Sequence, residues 1–553
     1  MDERVLDAQR WVNATYSGIA GYDRCPENGK TNWATMYSLT QGLQHELGIQ
    51  ELSHAFGPTT MSKVDARGGV GPGEQNKNIV NIIKCAFYCK GYPGGDLDGI
   101  WRSSPPFGPQ QDAVAGSLYA MTDNMGIGKQ ERLNAKLFKA LLTMDAYVLV
   151  AGGDPEVRKI QQWLNGRYWR RSFATLIPTE GHYSRDVQKL LMKALQSEFG
   201  IADASVNGNF GPATQRQLAA HILKPGDSGV LVELLSAACV FNGAVPRGEG
   251  MVHTMFKSTF DDKLAKYIQA FQAFSLLPVT NRVDYATWCQ LLVSTGDPNR
   301  AAHACDTRFT ITESLAHSLV RSGYRVVGRY LDEPPGGKLD KKLKDGELHA
   351  IFAGNMRVFP IWQYNARDLI DFSFESGWEH GNKAHDRMVY YGFNPGAIVY
   401  FSVDHDATDP EIDSNIIPYF RGVQAALASR GHAYRAGVYG CRNVCSRVSE
   451  QTYTVSSFVS GMSWGFSGNL GFPLPYNWSF NQIQEVRYSA DSGKEIDLDR
   501  DVHRTKIDPG IGPDGVGGHT PSKLEDTLAK VDQVHDMAVS YTHLRAHETK
   551  ANL

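Results

Sequence analysis

The sequence predicts a multidomain protein, in which an all-α region of small three-helix repeats runs to about residue 298 and is followed by an α/β TIM-type (β/α)8 barrel. Three observations predict this. A block near the N-terminus returns about 150 residues later; short β-branched or aromatic runs alternate with helical stretches over residues 302–503; and one apolar run, Ile398 to Val403, ends in the acids Asp404 and Asp406.

In the helical region, Gln9-Arg10-Trp11-Val12-Asn13-Ala14-Thr15-Tyr16 returns as Gln161-Gln162-Trp163-Leu164-Asn165-Gly166-Arg167-Tyr168, an offset of 152 residues from Trp11 to Trp163. Leu43-Gln44-His45-Glu46 returns as Leu195-Gln196-Ser197-Glu198 at the same offset, and Phe56-Gly57-Pro58-Thr59-Thr60 as Phe210-Gly211-Pro212-Ala213-Thr214. Each copy divides again, which gives helical units at 1–72, 73–152, 153–222 and 223–298; the second of each pair is degenerate. The glycines suit tight turns with positive φ, and the threonine that closes the motif is expected to cap the next helix.

The barrel strands are read, in order, as Ala304–Asp306, Arg325–Tyr330, Arg357–Gln363, Ile398–Asp406, Ala436–Gly440, Phe458–Trp464, Phe480–Gln484 and Glu495–Asp499. All eight place a polar or aromatic residue at or near the end: Asp306, Arg329, Gln363, Asp404 with Asp406, Tyr439, Trp464, Gln482 with Gln484, and Asp497 with Asp499. A packed barrel interior is otherwise filled by Val, Ile and Leu, so polar residues converging on the C-terminal mouth mark a site. Asp404 and Asp406 are two apart and are expected on one face of their strand. Alone, that pair equally describes a strand stopping in a polar turn. Trp362, Tyr439 and Trp464 suit sugar rings, which stack on flat apolar surfaces, although a tryptophan also simply fills cores.

The run Val-Gly-Arg-Tyr-Leu, then Val-Phe-Pro-Ile-Trp-Gln, then Ile-Val-Tyr-Phe-Ser-Val-Asp-His-Asp and Ala-Gly-Val-Tyr-Gly resembles the glycoside-hydrolase-like TIM-barrel domain of secreted actinobacterial proteins, a distant relative of the family-25 lysozymes (muramidases). The resemblance covers residues 302–503. It implies Asp306 as the first-strand acid, Asp404 and Asp406 as the fourth-strand pair, and Asp497 as the acid of the last strand. These four form the expected catalytic set, with Arg329, Gln363, Tyr439, Trp464, Gln482, Gln484 and Asp499 around substrate. In the lysozymes the fourth strand reads Asp-x-Glu and the Glu is the general acid. Here Asp406 stands there, one methylene shorter, and proton transfer needs contact near 3 Å or a bridging water. Two readings follow: hydrolysis of a wall glycan, with Asp404 raising the pKa of Asp406, or a carbohydrate-binding barrel whose acids only hydrogen-bond sugar. A scaffold for wall or phage-tail components is a third.

Asn207-Gly208-Asn209-Phe210-Gly211-Pro212-Ala213-Thr214 resembles the Asp-Gly-x-Phe-Gly-x-x-Thr signature of three-helix peptidoglycan-binding domains. It implies that 153–222, and more weakly 1–72, bind wall; the Asn-Gly pair is missing before Phe56. The partner expected is therefore peptidoglycan or another wall glycan.

Composition narrows the rest. The 553 residues allow several cores, and a net charge of −3 argues against nucleic acid as partner. No apolar stretch approaches the ~20 residues that span a bilayer. The opening Met1-Asp2-Glu3-Arg4 lacks the layout of a secretory signal, so a secreted or wall-associated location is expected from the resemblance alone. Of eight cysteines, Cys441 and Cys445 are placed to bridge if their loop turns back, while Cys85 and Cys89, one helical turn apart, are expected to stay thiols. Asp404, Asp406, Asp409 and Asp413 loosely follow a calcium loop but lack its glycine and bidentate Glu, so no metal and no cofactor is expected. Residues 504–553 read as a Pro/Gly linker from Asp508 to Gly518, an amphipathic helix from Pro521 to Val539, and a tail from Ser540 to Thr549 that resembles a translated sequencing adapter.

Overall fold

The computed structural model describes residues 1–102 and 113–517. Two compact units are formed, Met1–Ala244 with His253–Ile268, and Val245–Val252 with Gln269–Leu553. Among the described residues no helix is long and apolar enough to cross a membrane.

The first unit is helical: α1 (Glu3–Tyr16), α2 (Trp33–Glu46), α3 (Pro58–Ala66), α4 (Lys77–Cys89), α5 (Ala113–Asn124), α6 (Ala135–Leu141), α7 (Pro155–Tyr168), α8 (Arg185–Glu198), α9 (Pro212–Ala220) and α10 (Val230–Phe241). Helices α1 and α7 start alike, because the Asp2 and Asp154 carboxylates each accept two backbone N–H bonds of the first turn. Their buried faces also match. Asn13 exchanges two hydrogen bonds with the backbone of Cys25, at 2.9 and 3.1 Å, and Asn165 does the same with Ile177, at 2.9 and 3.0 Å. Tyr16 donates to Glu46 at 2.9 Å and Tyr168 to Glu198 at 2.7 Å. The motif threonines do not cap helices: Gly57 and Gly211 hold the N-cap positions, with Pro58 and Pro212 beginning the helices. Thr60 and Thr214 instead accept buried bonds from Gln44 and Gln196 at 3.3 and 2.8 Å, tying the turn to the preceding helix.

In the second unit, β1 (Val245–Arg247) and β2 (Gly250–Val252) form a hairpin; α11 (Asp262–Phe274) from Gln269 onward and α12 (Tyr285–Leu292) follow, with Gln272 bonded to Thr287 at 2.9 Å in the same Gln–Thr arrangement. Then comes a closed eight-stranded barrel: β3 (Ala304–Asp306), β4 (Val326–Tyr330), β5 (Arg357–Trp362), β6 (Ile398–Ser402), β7 (Arg435–Gly440), β8 (Ser456–Val459), β9 (Trp478–Ser489) and β10 (Glu495–His503). Strands β3 to β9 are parallel, but β10 runs antiparallel to both its neighbours, β9 and β3. This corrects the expected (β/α)8 pattern, and the cause is chain length. Only residues 490–494 join β9 to β10, enough for a hairpin and far too few for a parallel crossover. Helices α13 (Glu313–Arg321), α14 (Glu347–Ala353), α15 (Phe374–Tyr390), α16 (Asp409–Glu411), α17 (Ile417–Ser429) and α18 (Arg442–Gln451) occupy the first five crossovers, whereas the β8–β9 connection holds only a short 3₁₀ turn, Ser467–Asn469.

Inside the barrel, Phe359, Tyr400, Phe458 and Phe480 form an aromatic floor, with Phe359 stacked on Phe480 at 4.0 Å between centroids. Glycine makes the room. A Cβ on Gly328 would meet Phe359 at 2.4 Å and Asp306 at 2.7 Å, and one on Gly437 would meet Tyr400 at 2.7 Å.

Two strands end earlier than the sequence suggests. Strand β6 stops at Ser402, so Asp404 and Asp406 lie in the following turn and no pleat holds them on one face; β8 stops at Val459, which leaves Trp464 in a loop. The Asp508–Gly517 stretch is not a linker: Ile511 and Val358 exchange backbone hydrogen bonds, Gly517 bonds Gly392, and Asp508 accepts from Tyr400 at 2.7 Å. It covers the N-terminal end of the barrel. The helix and tail expected beyond Pro521 lie outside the described residues. Cys441 and Cys445 do not bridge; Cys445 bonds the Gly440 carbonyl at 3.3 Å, and all eight cysteines are free thiols.

Candidate active site at the barrel mouth

The C-terminal ends of the strands open into a cavity of about 610 Å³ and a deeper one of about 230 Å³, which share Asp306, Tyr330, Gln363, Arg367 and Asp499 in their walls. At the base sits a cluster of carboxyls. Register pairs Asp499 of β10 with Asp306 of β3, and Asp501 follows on the same strand. Gln482 divides its two amide N–H groups between Asp306, at 2.9 Å, and Asp499, at 3.1 Å, while its carbonyl accepts from the Tyr439 hydroxyl at 2.9 Å.

Asp501 is fully buried, and among the described residues neither of its oxygens receives a hydrogen bond. Its one satisfied arrangement is to carry a proton and donate it to Asp306. Burial, then the charge of Asp306, holds Asp501 far above the usual carboxylate range; burial likewise pushes Asp306 to about 7, and burial plus the charge of Asp306 pushes Asp499 to about 9. The base of the mouth therefore stores protons at neutral pH.

Asp404 faces this cluster across the deeper cavity. Its backbone N–H bonds Ala366 at 2.8 Å, and its carboxylate pairs with Arg367 at 3.2 Å. Burial raises the Asp404 pKa, against the pull of Arg367. One wall is thus a proton store and the other an arginine-paired carboxylate.

The sequence-derived site residues separate into two groups. Asp306, Gln363, Asp404, Tyr439, Gln482 and Asp499 line the cavities, and Asp497 stands exposed at the rim. Arg329 does not reach them. Its five N–H bonds are all taken by Glu347, Thr307, Lys341 and Lys342, so it braces the loop behind the wall. Asp406 points away and accepts the Ser467 backbone N–H and hydroxyl, both at 2.7 Å. Trp464 is 73% exposed and lines neither cavity, and Trp362 is buried against Tyr364. Gln484 bonds Arg500 on the outer face. It departs from Gln482 because a bulge interrupts β9, where Arg500 pairs with Gln484 but Asp501 with Gln482, so the alternation slips by one.

The same slip brings Glu485 into the cavity wall, and the sequence reading had no signal for it. It also missed Asp501, Tyr330, Lys341 and Arg367. Only Asp501 was signalled, since Asp497, Asp499 and Asp501 alternate. The loose calcium pattern dissolves: Asp409 and Asp413 both pair with Arg447, and among the described residues no His/Cys/Asp/Glu group could hold a metal.

Residues 317–503 match the family model described as Rv2525c-like, glycoside hydrolase-like domain, and residues 150–292 match the FadG/YbfG, PGDB-like domain. FadG of Bacillus subtilis (strain 168) is 40% identical over 550 residues, covering 99% of this chain and 92% of that protein. YbfG of the same organism is 38% identical over 511 residues, covering 91% and 67%. Among solved structures, the Mycobacterium tuberculosis Tat-secreted protein Rv2525c in complex with L-tartrate is similar at 18% identity and TM-score 0.31, over 38% of this chain and 98% of that one. A B. stearothermophilus protein is similar at 14% identity and TM-score 0.27, over 37% and 96%.

Proposed function

The chain belongs to the family of FadG and YbfG, with a glycoside hydrolase-like domain in its barrel, and on that premise we propose that it hydrolyses a glycan of the bacterial cell wall. The observation that carries the reading is the opposition, across one cavity, of Asp499, which burial and the charge of Asp306 favour in its protonated form, to Asp404, which is paired with Arg367, since glycoside cleavage uses two carboxyls in different environments. Asp499 donates its proton to the departing glycosidic oxygen as the C–O bond breaks. Asp404 stabilises the positive anomeric carbon or takes a proton from the attacking water, and Gln482 holds the donor side in place.

The duplicated hydrogen-bond pattern of α1–α3 and α7–α9 supports reading these helices as tandem wall-binding modules that keep the barrel near an extracellular substrate. A second reading, sugar binding without hydrolysis, is favoured by one observation: Asp406, at the position of the lysozyme acid, is held by Ser467. Reducing-end release from purified cell walls decides between them. Wild-type protein should release reducing ends and Asp499→Asn should not; binding to the walls with no release by wild type would establish the sugar-binding reading instead.

A further inference from the structure

The larger cavity is lined by charges of both signs. Asp306, Glu485, Asp497 and Asp499 line the β3, β9 and β10 side together with Arg308, and the loops after β4 and β5 bring Lys338, Lys341 and Arg367 together with Glu333 and Asp368. Lys341 is the unusual member. Its side chain is nearly enclosed, at 8% residue exposure, with the ammonium 4.5 Å from the centre of the Tyr330 ring and one N–H donated to Gln363 at 3.1 Å. Among the described residues no carboxylate lies within ion-pair distance of it, and its other N–H bonds have no acceptor; Glu333 reaches only its backbone N–H, and Asp404 is paired with Arg367. A buried ammonium costs several kcal/mol unless it is paired. Burial, then the charge of Arg367, lowers the Lys341 pKa to about 8. An enclosed cation beside a second cation, with donors facing an open cavity, is half of an ion pair.

We propose that the barrel mouth takes a sugar bearing a carboxylate, and that Lys341 is the residue that selects for that charge. The inference rests on the glycan reading above and adds the substrate's chemistry. Such a ring is held in one sense, because its carboxylate is drawn to Lys341 and disfavoured beside the exposed acids Glu485 and Asp497 on the β9 and β10 side. That sense turns the uncharged edge of the ring toward Asp499. The carboxylate can belong to a lactyl ether or to a uronic acid, so both are tested.

The experiment is calorimetric titration of the full chain with N-acetylmuramic acid, glucuronic acid and the corresponding lactyl amide and glucuronamide. Wild type should bind at least one acid about tenfold or more tightly than its amide, since a hydrogen bond to a charged group contributes about 1.5–3 kcal/mol. Which acid is preferred identifies the source of the carboxylate. Lys341→Met should erase the preference, and Lys341→Arg should retain it; matching melting curves confirm that both variants fold. Equal binding of acid and amide by wild type overturns the proposal and leaves the glycan reading standing. Preference that survives in Lys341→Met overturns the role of Lys341. Binding of none of the four overturns the proposal, and the glycan reading then stands or falls on reducing-end release alone. Charge selection in a protein that releases no reducing ends sinks hydrolysis alone.

Discussion

Both regions of this molecule bury polar side chains, and they do so in opposite ways. In the helical unit, Gln161 and Asn165 sit wholly inside the fold with both ends of each amide bonded to backbone, and Gln9 and Asn13 do the same 152 residues earlier. At the barrel mouth, Asp501 receives no hydrogen bond and Lys341 has one partner where three are possible. Satisfied groups specify a fold; unsatisfied ones must be held in place by the fold, and one that lines a cavity, as Lys341 does, is available to a ligand. Arg329 tests the distinction within the barrel itself, because it is buried at the end of a strand yet saturated like the helical amides.

The largest effect follows from that. Arg329→Met strands the buried carboxylate of Glu347 and should cost about 3–5 kcal/mol, lowering the barrel's melting transition. If the variant melts normally but loses sugar affinity, Arg329 belongs with the site after all and the comparison breaks.

Next comes the proton store. Asp499→Asn should lower reducing-end release by ~10²-fold or more, the usual contribution of general acid catalysis. The alkaline limb of the wild-type rate should fall near pH 9, where Asp499 loses its proton, and the acidic limb should lie above the ordinary aspartate range because Asp404 is raised. Stability should move the other way. A carboxyl raised from 3.8 to about 9 stabilises the fold fully below its unfolded value, and that contribution is lost as pH climbs toward its folded value. The Asn variant should therefore melt at a higher temperature than wild type, with a gap that opens from pH 4 to pH 9; a gap independent of pH would show that Asp499 is ionised.

The helical unit should respond in stability alone. Asn165→Ala leaves the Ile177 N–H and C=O without partners and should cost about 1–3 kcal/mol for each stranded group. Melting curves report the loss, and reducing-end release per folded molecule should not change. A matching loss of turnover would show that the helices shape the active site.

How much of this was legible follows from how local each signal is. The barrel strands were readable because buried parallel strands are short apolar runs, and β3 falls on the residues expected. The direction of β10 was not, since it depends on a five-residue connection that the pattern of apolar residues does not register. The site was readable where a strand simply ends on a polar residue, as at Asp306, Gln363 and Tyr439. It was lost wherever regular alternation failed. Beyond Ser402 the chain turns, which separates Asp404 from Asp406, and the bulge in β9 exchanges Gln484 for Glu485. Lys341 and Arg367 come from loops, where spacing carries no facing information.

The smallest expected effect is the most pointed test of the boundary between the two kinds of polar group. By resemblance Asp406 is the general acid; by geometry it is a satisfied structural residue, accepting two hydrogen bonds from Ser467 outside both cavities. Asp406→Asn preserves an acceptor oxygen for Ser467 and should leave reducing-end release within about twofold of wild type, far from the ~10²-fold expected of a lost acid. Asp406→Ala removes both bonds and should loosen the Ser467–Asn469 turn, which limited proteolysis of the β8–β9 connection would report. If Asp406→Asn instead abolishes release while that turn stays protected, the proton comes from Asp406 after a movement of the loop. The carboxyls of β3 and β10 would then be scaffolding, as saturated in function as the amides of the helical unit.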